Sequence, residues 1–176
     1  DWRPNTLKLN TRLLKGYLKK GFPEHPTTKS MVIRVLNACN NWGFKKKLIP
    51  RYEPIPGGNK YEARTRVYTR EELDLMFEKI TPKHFNLFVQ FAYYSGARSG
   101  EIRRISKENV FFDYIVVFGK AGKRLVKLNK QARNIIADVE LWDYTVNYVQ
   151  LTWSRNRKRL GLKDARFHDL RRTFGY

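Results

Sequence analysis

Val110-Phe111-Phe112-Asp113-Tyr114-Ile115-Val116-Val117-Phe118-Gly119-Lys120-Ala121-Gly122-Lys123-Arg124-Leu125-Val126-Lys127-Leu128 is the stretch that separates this chain from an all-helical one. From Val110 to Phe118, β-branched and aromatic residues crowd around Asp113, and such residues fit a pleated, half-buried surface. Gly119-Lys120-Ala121-Gly122 supplies turn residues, and Arg124 to Leu128 takes up a strand pattern again. Two or three short antiparallel strands are expected. On both sides the apolar spacing becomes helical, so the expected class is mainly α with a small antiparallel β-sheet (α+β), three-stranded in the fullest reading.

Upstream, Thr69-Arg70-Glu71-Glu72 is a capping box, with Glu72 three residues after the N-cap Thr69. Leu73, Met76, Phe77 and Ile80 form the apolar stripe behind it, and Phe85, Phe88, Val89 and Ala92 continue a second helix after Pro82. Ser95-Gly96 breaks that helix, and a short one begins near Arg98. Downstream, Asn129 caps a helix bearing Ala132, Ile135, Ile136 and Val139. A longer helix is expected over about 142–159, ending at Gly161, with Trp142 and Trp153 both on it and both in the core. A last helix begins near His168.

At the N-terminal end, Leu9, Leu13 and Tyr17 define a helix over 6–20, stopped by Gly21. A second follows over about 28–43, where Val32, Val35, Leu36 and Cys39 share a face. Cys39 reads there as a buried small hydrophobe, and Trp42 as core. Pro54, Pro56, Gly57 and Gly58 break all periodicity between Pro50 and Arg66. The expected organisation is a partial helical domain over 1–50, a basic Pro/Gly linker over 51–67 and a second domain over 68–176.

The 176 residues carry 36 Lys/Arg against 16 Asp/Glu, a net charge of +20. Residues 1–67 hold 15 against 4 and residues 68–176 hold 21 against 12, so neither part is a detachable basic tail. Hydrophobic residues at 41% exclude a disordered tail, which lacks core-forming side chains. No apolar run reaches the roughly 18 residues that span a bilayer, no signal-peptide pattern is present, and one cysteine cannot make an internal disulfide. The charge points to a polyanion, and nucleic acid fits better than a membrane surface or a merely solubilising shell. The expected location is intracellular, in the cytoplasm or nucleoid of the host, and the protein is not secreted.

Chemistry on a phosphodiester needs cations for the non-bridging oxygens, an acid for the leaving oxygen and a nucleophile. Arg98 opens a helix, where backbone N–H groups also attract phosphate. Lys120 lies between two glycines at a hairpin tip. His168 and Arg171 are three residues apart on one helix face. Lys45, Lys46 and Lys47 sit at a helix end, Arg64 and Arg66 in the linker, Lys123 and Arg124 in the hairpin, and Arg155, Arg157 and Lys158 ahead of His168. These are the expected DNA-backbone contacts. His25 and His84 read as surface or cap residues, and no metal ligands are expected.

Three short runs, in order, resemble the tyrosine recombinase (phage-integrase-like) family. Ser95-Gly96-Ala97-Arg98-Ser99-Gly100-Glu101-Ile102 resembles its first arginine box. Gly119-Lys120-Ala121-Gly122-Lys123-Arg124-Leu125-Val126 resembles its hairpin lysine motif, although Lys127 stands where a proline is common. His168-Asp169-Leu170-Arg171-Arg172-Thr173-Phe174 is similar to the second box. The resemblance covers 68–176 well and 1–50 loosely, as part of a core-binding domain. It implies that Arg98 and Arg171 hold the scissile phosphate, Lys120 protonates the leaving 5′-oxygen, His168 hydrogen-bonds the phosphate and Glu101 orients the site. It further implies a tyrosine nucleophile, a 3′-phosphotyrosyl intermediate, no cofactor, double-stranded DNA as partner, and assembly as a homotetramer on that DNA. The family's nucleophile lies some tens of residues beyond the second box, whereas Tyr176 is five residues beyond Arg171. The expectation is therefore a truncated piece that binds DNA without cleaving it, with Tyr176 a core or terminal aromatic. The alternatives are a non-catalytic DNA-binding protein of the same fold and a basic RNA-binding or ribosomal-type protein.

Overall fold

A computed structural model of the chain describes residues 2–59, 64–119 and 122–175. Lys120, proposed above as the proton donor, and Tyr176 lie outside the described residues. The chain divides into two compact units, Asp1–Arg64 and Thr65–Tyr176. No helix among the described residues is long and apolar enough to cross a membrane.

The first unit is a helix pair, α1 (Pro4–Lys20) and α2 (Pro26–Lys45), each with proline in its first turn, where the missing N–H costs nothing. Val32, Ile33 and Val35 of α2 are buried between them and the following segment. That segment is the Pro/Gly stretch read as a linker, and side chains of α2 hold it. Asn37 donates to the Ile55 carbonyl at 2.9 Å and accepts its N–H at 2.8 Å, while Ser30 donates to the Gly57 carbonyl at 2.9 Å. Two expectations fail here. Trp42 is 58% exposed rather than core, and Cys39 is only partly buried. A helix of a two-helix unit has too few neighbours to cover every apolar position its period presents.

In the second unit, Thr69 Oγ1 accepts the Glu72 N–H and Glu72 accepts the Thr69 N–H, so α3 (Arg70–Lys79) starts with the capping box expected of it. Next come α4 (Lys83–Ser95), α5 (Ser99–Ile102), a 3-10 turn (Lys107–Asn109), strands β1 (Tyr114–Gly119) and β2 (Gly122–Lys127), α6 (Lys130–Asp138), α7 (Val146–Arg159) and α8 (Asp169–Phe174). Phe85, Phe88 and Phe91 of α4 form the centre of the core, with Trp142, Ile102, Ile115 and Leu170 around them. α4 packs on α6 and α8, and α5 packs on β1.

The sheet has two strands among the described residues, not three: Tyr114 pairs with Lys127 through to Gly119 with Gly122, and Val110 makes only an isolated bridge to Ile115. The 3-10 turn and Asp113 leave no length for a further strand. Trp142 is buried but lies before α7 rather than on it, with its indole N–H donated to the His84 carbonyl at 3.0 Å. His84 is itself more than a surface residue, since its ring meets the Glu140 carbonyl at 2.8 Å and the Tyr144 hydroxyl at 2.7 Å.

Candidate active site

The site begins where α4 ends. Gly96 adopts φ +61, the left-handed conformation that closes helices and that L side chains resist. A Cβ there would sit 2.4 Å from Phe174 on α8, so glycine is needed for space as well as for φ. Two residues on, Arg98 is the N-cap of α5, and the carboxylate of Glu101 reaches back to accept its backbone N–H at 2.9 Å.

Glu101 is 2% exposed and is the hub of the cluster. Besides the Arg98 N–H it accepts the Arg98 guanidinium at 2.8 Å and two donors of Arg124, Nη2 at 2.6 Å and Nε at 3.2 Å. Burial alone would raise its pKa. The hydrogen bonds from Arg124 and from the backbone and side chain of Arg98 overcome burial and lower it to about 2. Glu101 is thus ionised at neutral pH, as a buried carboxylate must be paired to remain charged.

Arg171 of α8 donates to the Gly96 carbonyl, which ties the second box to the first. Its pKa is lowered by burial and then by the positive charges of Arg98 and Arg124, so the three guanidiniums feel one another. His168 stands at the N-terminus of α8. Burial and the cations Arg172, Arg171 and Arg98 hold its pKa below the ordinary value, which keeps the imidazole neutral at pH 7. Three guanidiniums against one carboxylate leave a local excess of positive charge. Guanidinium forks of this kind match the oxygens of a phosphate.

α8 itself is anchored by a residue that sequence reading passed over. Asp169 is fully buried, accepts the Arg166 N–H at 2.9 Å and pairs with Arg172 at 2.8 Å. Thr173 donates to the Asp169 carbonyl at 2.8 Å and accepts the Tyr68 N–H at 2.9 Å, pinning the helix to the start of the unit. The available signal was an acid three residues before an arginine. Beside His168 a cleft of about 560 Å³ opens, lined in part by Ser99, Gly100, Arg103, Trp153 and Arg157.

The structure therefore brings together Arg98, Glu101, Arg124, His168 and Arg171. Lys123 is exposed on β2, and Arg155 and Lys158 are exposed on α7. Arg157 is half-buried, with one N–H to the Ala165 carbonyl at 3.4 Å. Arg66 is committed within its own unit. It pairs with Glu72 at 2.6 Å and stacks on Tyr68 at 4.8 Å, and the Glu72 hydrogen bond raises its pKa. In the first unit Lys45 ends α2, Lys46 caps it and Lys47 follows at φ +58, all three exposed. Arg64 is half-buried and already engaged in an interaction.

A helical domain with one β-hairpin and this order of boxes has the fold of the tyrosine recombinases. A lambda integrase dimer bound to a COC′ core site superposes with a TM-score of 0.72 at 17% identity, covering 95% of this chain and 71% of that one. The Tn1549 transposon integrase in complex with circular intermediate DNA gives 0.62 at 12% identity, covering 94% and 69%. XerH bound to a palindromic difH substrate gives 0.64 at 16%, covering 96% and 59%. The chain spans 57% of lambda integrase as seen in a tetramer on a Holliday junction. No protein-family model and no curated protein sequence matches the chain.

Proposed function

We propose that this chain carries the phosphate-binding centre of a site-specific DNA recombinase or integrase that breaks and rejoins strands through a 3′-phosphotyrosyl intermediate. The observation that carries this reading is the convergence of Arg98, Arg124 and Arg171 around the buried Glu101, with neutral His168 beside them.

In this reading Arg98 and Arg171 hold the two non-bridging oxygens of the scissile phosphate, and their charge offsets that which builds up in the phosphorane-like transition state. A tyrosine hydroxyl attacks phosphorus. The P–O5′ bond breaks, Lys120 gives its proton to the departing 5′-oxygen, and neutral His168, beside the phosphate, accepts the tyrosine proton. The ester bond so stored lets a 5′-hydroxyl reverse the step with no nucleotide hydrolysed. Lys45, Lys46, Lys47, Lys123, Arg155 and Lys158 serve the duplex backbone, which fixes register without reading sequence. The whole protein acts inside the cell as an oligomer on DNA, a tetramer where four strands are exchanged.

The test is covalent capture. The full-length protein is incubated with nicked suicide duplexes and resolved on denaturing gels. Wild type is expected to form a protein–DNA adduct, and Arg98→Ala or Arg171→Ala to lower its rate at least about 100-fold while duplex binding persists. Binding with no adduct on any duplex would leave a DNA-binding protein of this fold without the chemistry.

A further inference from the structure

Arg124 is the basic residue in an otherwise apolar row. On the inner face of the hairpin it pairs with Val117, next to the Ile115–Val126 pair, and those three apolar residues are buried. Its side chain, one third exposed, turns its guanidinium onto Glu101 side-on, through Nε and Nη2 together. The same carboxylate holds both the backbone and the side chain of Arg98. The hairpin backbone also closes on it, because a Cβ on Gly119 would lie 3.0 Å from Glu101 Oε1. One buried carboxylate thus bridges a strand of the hairpin and the turn that opens α5.

We infer that Arg124 is a positioning residue, not a DNA contact: by its side-on grip on Glu101 it fixes the hairpin against the turn that bears Arg98. The inference rests on the recombinase reading for the roles of Arg98 and of Lys120, which follows Gly119 in the sequence. The physical ground is the asymmetry of buried ion pairs. Turning Arg124 outward to a phosphate would leave Glu101 desolvated with fewer donors, and a buried charge deprived of a partner is strongly unfavourable. The pairing also explains why a hairpin of two short strands, marginal by itself, holds a defined place.

Three measurements on the 176-residue chain test this without strand cleavage. Glu101 should titrate near pH 2 by carbon-detected NMR, and Arg124→Ala should raise that midpoint by about one unit or more. The Arg98 amide, which bonds to Glu101, should exchange with solvent at least tenfold faster in Arg124→Ala, and Arg124→Lys should restore part of that protection. The slope of log affinity for duplex DNA against log salt should stay unchanged, whereas loss of a phosphate contact would lower it by about 0.9. An unmoved Glu101 midpoint, an unmoved Arg98 amide or a slope reduced by that amount overturns the inference. If Arg124→Ala does not fold, Arg124→Lys reports instead, with intermediate shifts expected. Failure of covalent capture by wild type would remove the recombinase reading and leave these three results standing.

Discussion

Glu101 is a carboxylate with almost no contact with water, and its ionisation is sustained by Arg124 and Arg98. This has a definite consequence for stability against pH. Its folded pKa of about 2 lies below the unfolded value of about 4.3, so its stabilisation is fully present above the unfolded pKa and is lost as pH falls from there through about 2. The size is on the order of 3 kcal/mol. Glu101→Gln should therefore be less stable than wild type at pH 7, and the gap should narrow as pH is lowered from about 4.5 towards 2. Urea denaturation of both proteins at stepped pH measures this, and a gap that stays constant would mean that Glu101 is not the ionised hub. The i,i+3 spacing of Arg98 and Glu101 was readable in the sequence, and the resemblance of that run to the first arginine box supplied the expectation that Glu101 orients the site. The second grip, from Arg124, was not, because which face of the hairpin Arg124 occupies depends on strand register, and that this face meets α5 depends on packing, both of which local residue pattern leaves open.

At the scale of elements, α8 reaches the first arginine box through backbone as much as through side chains. Arg171 bonds the Gly96 carbonyl, and Phe174 packs where a Gly96 side chain would be. Gly96→Ala should thus cost about 2–4 kcal/mol, part from the left-handed backbone and part from overpacking. Adding Phe174→Ala should recover the packing share and not the backbone share, which a thermal-unfolding double-mutant cycle separates. Full recovery would mean that the conformation of Gly96 carries no cost. The elements most legible in the sequence were those whose signals are local. The capping box of Thr69 and Glu72 begins α3, and Asn129 accepts the Ala132 N–H at 2.9 Å to begin α6. The ones misjudged depended on what lies opposite. Trp42 shares the helical period of α2 but faces solvent, and Trp142 is core without being helical. Periodicity reports which residues share a face, not whether anything covers it.

Over the whole molecule the charge is shared evenly but used differently. The first unit holds 14 Lys/Arg against 4 Asp/Glu and the second 22 against 12, +10 in each. In the second unit buried or half-buried acids engage a portion of the cations: Glu72 takes Arg66, Glu101 takes Arg98 and Arg124, and Asp169 takes Arg172. In the first unit Lys8, Arg12, Lys15, Lys19 and Lys20 of α1 are exposed, as are Lys45, Lys46 and Lys47. Exposed cations of this sort bind phosphates by releasing counterions, and their effect is independent of sequence. The triple change Lys45→Gln, Lys46→Gln and Lys47→Gln should therefore lower the salt slope of duplex binding by about 2 to 3, equally on unrelated sequences. Anisotropy titrations between about 50 and 200 mM salt measure it. Its effect on the rate of adduct formation should vanish once the duplex is saturating, since in the proposed reading those lysines serve association and not the scissile phosphate. A slope left intact would move the DNA surface of the first unit elsewhere. A rate still depressed at saturation would instead bring Lys45, Lys46 or Lys47 into the chemistry that the cluster around Glu101 is proposed to perform.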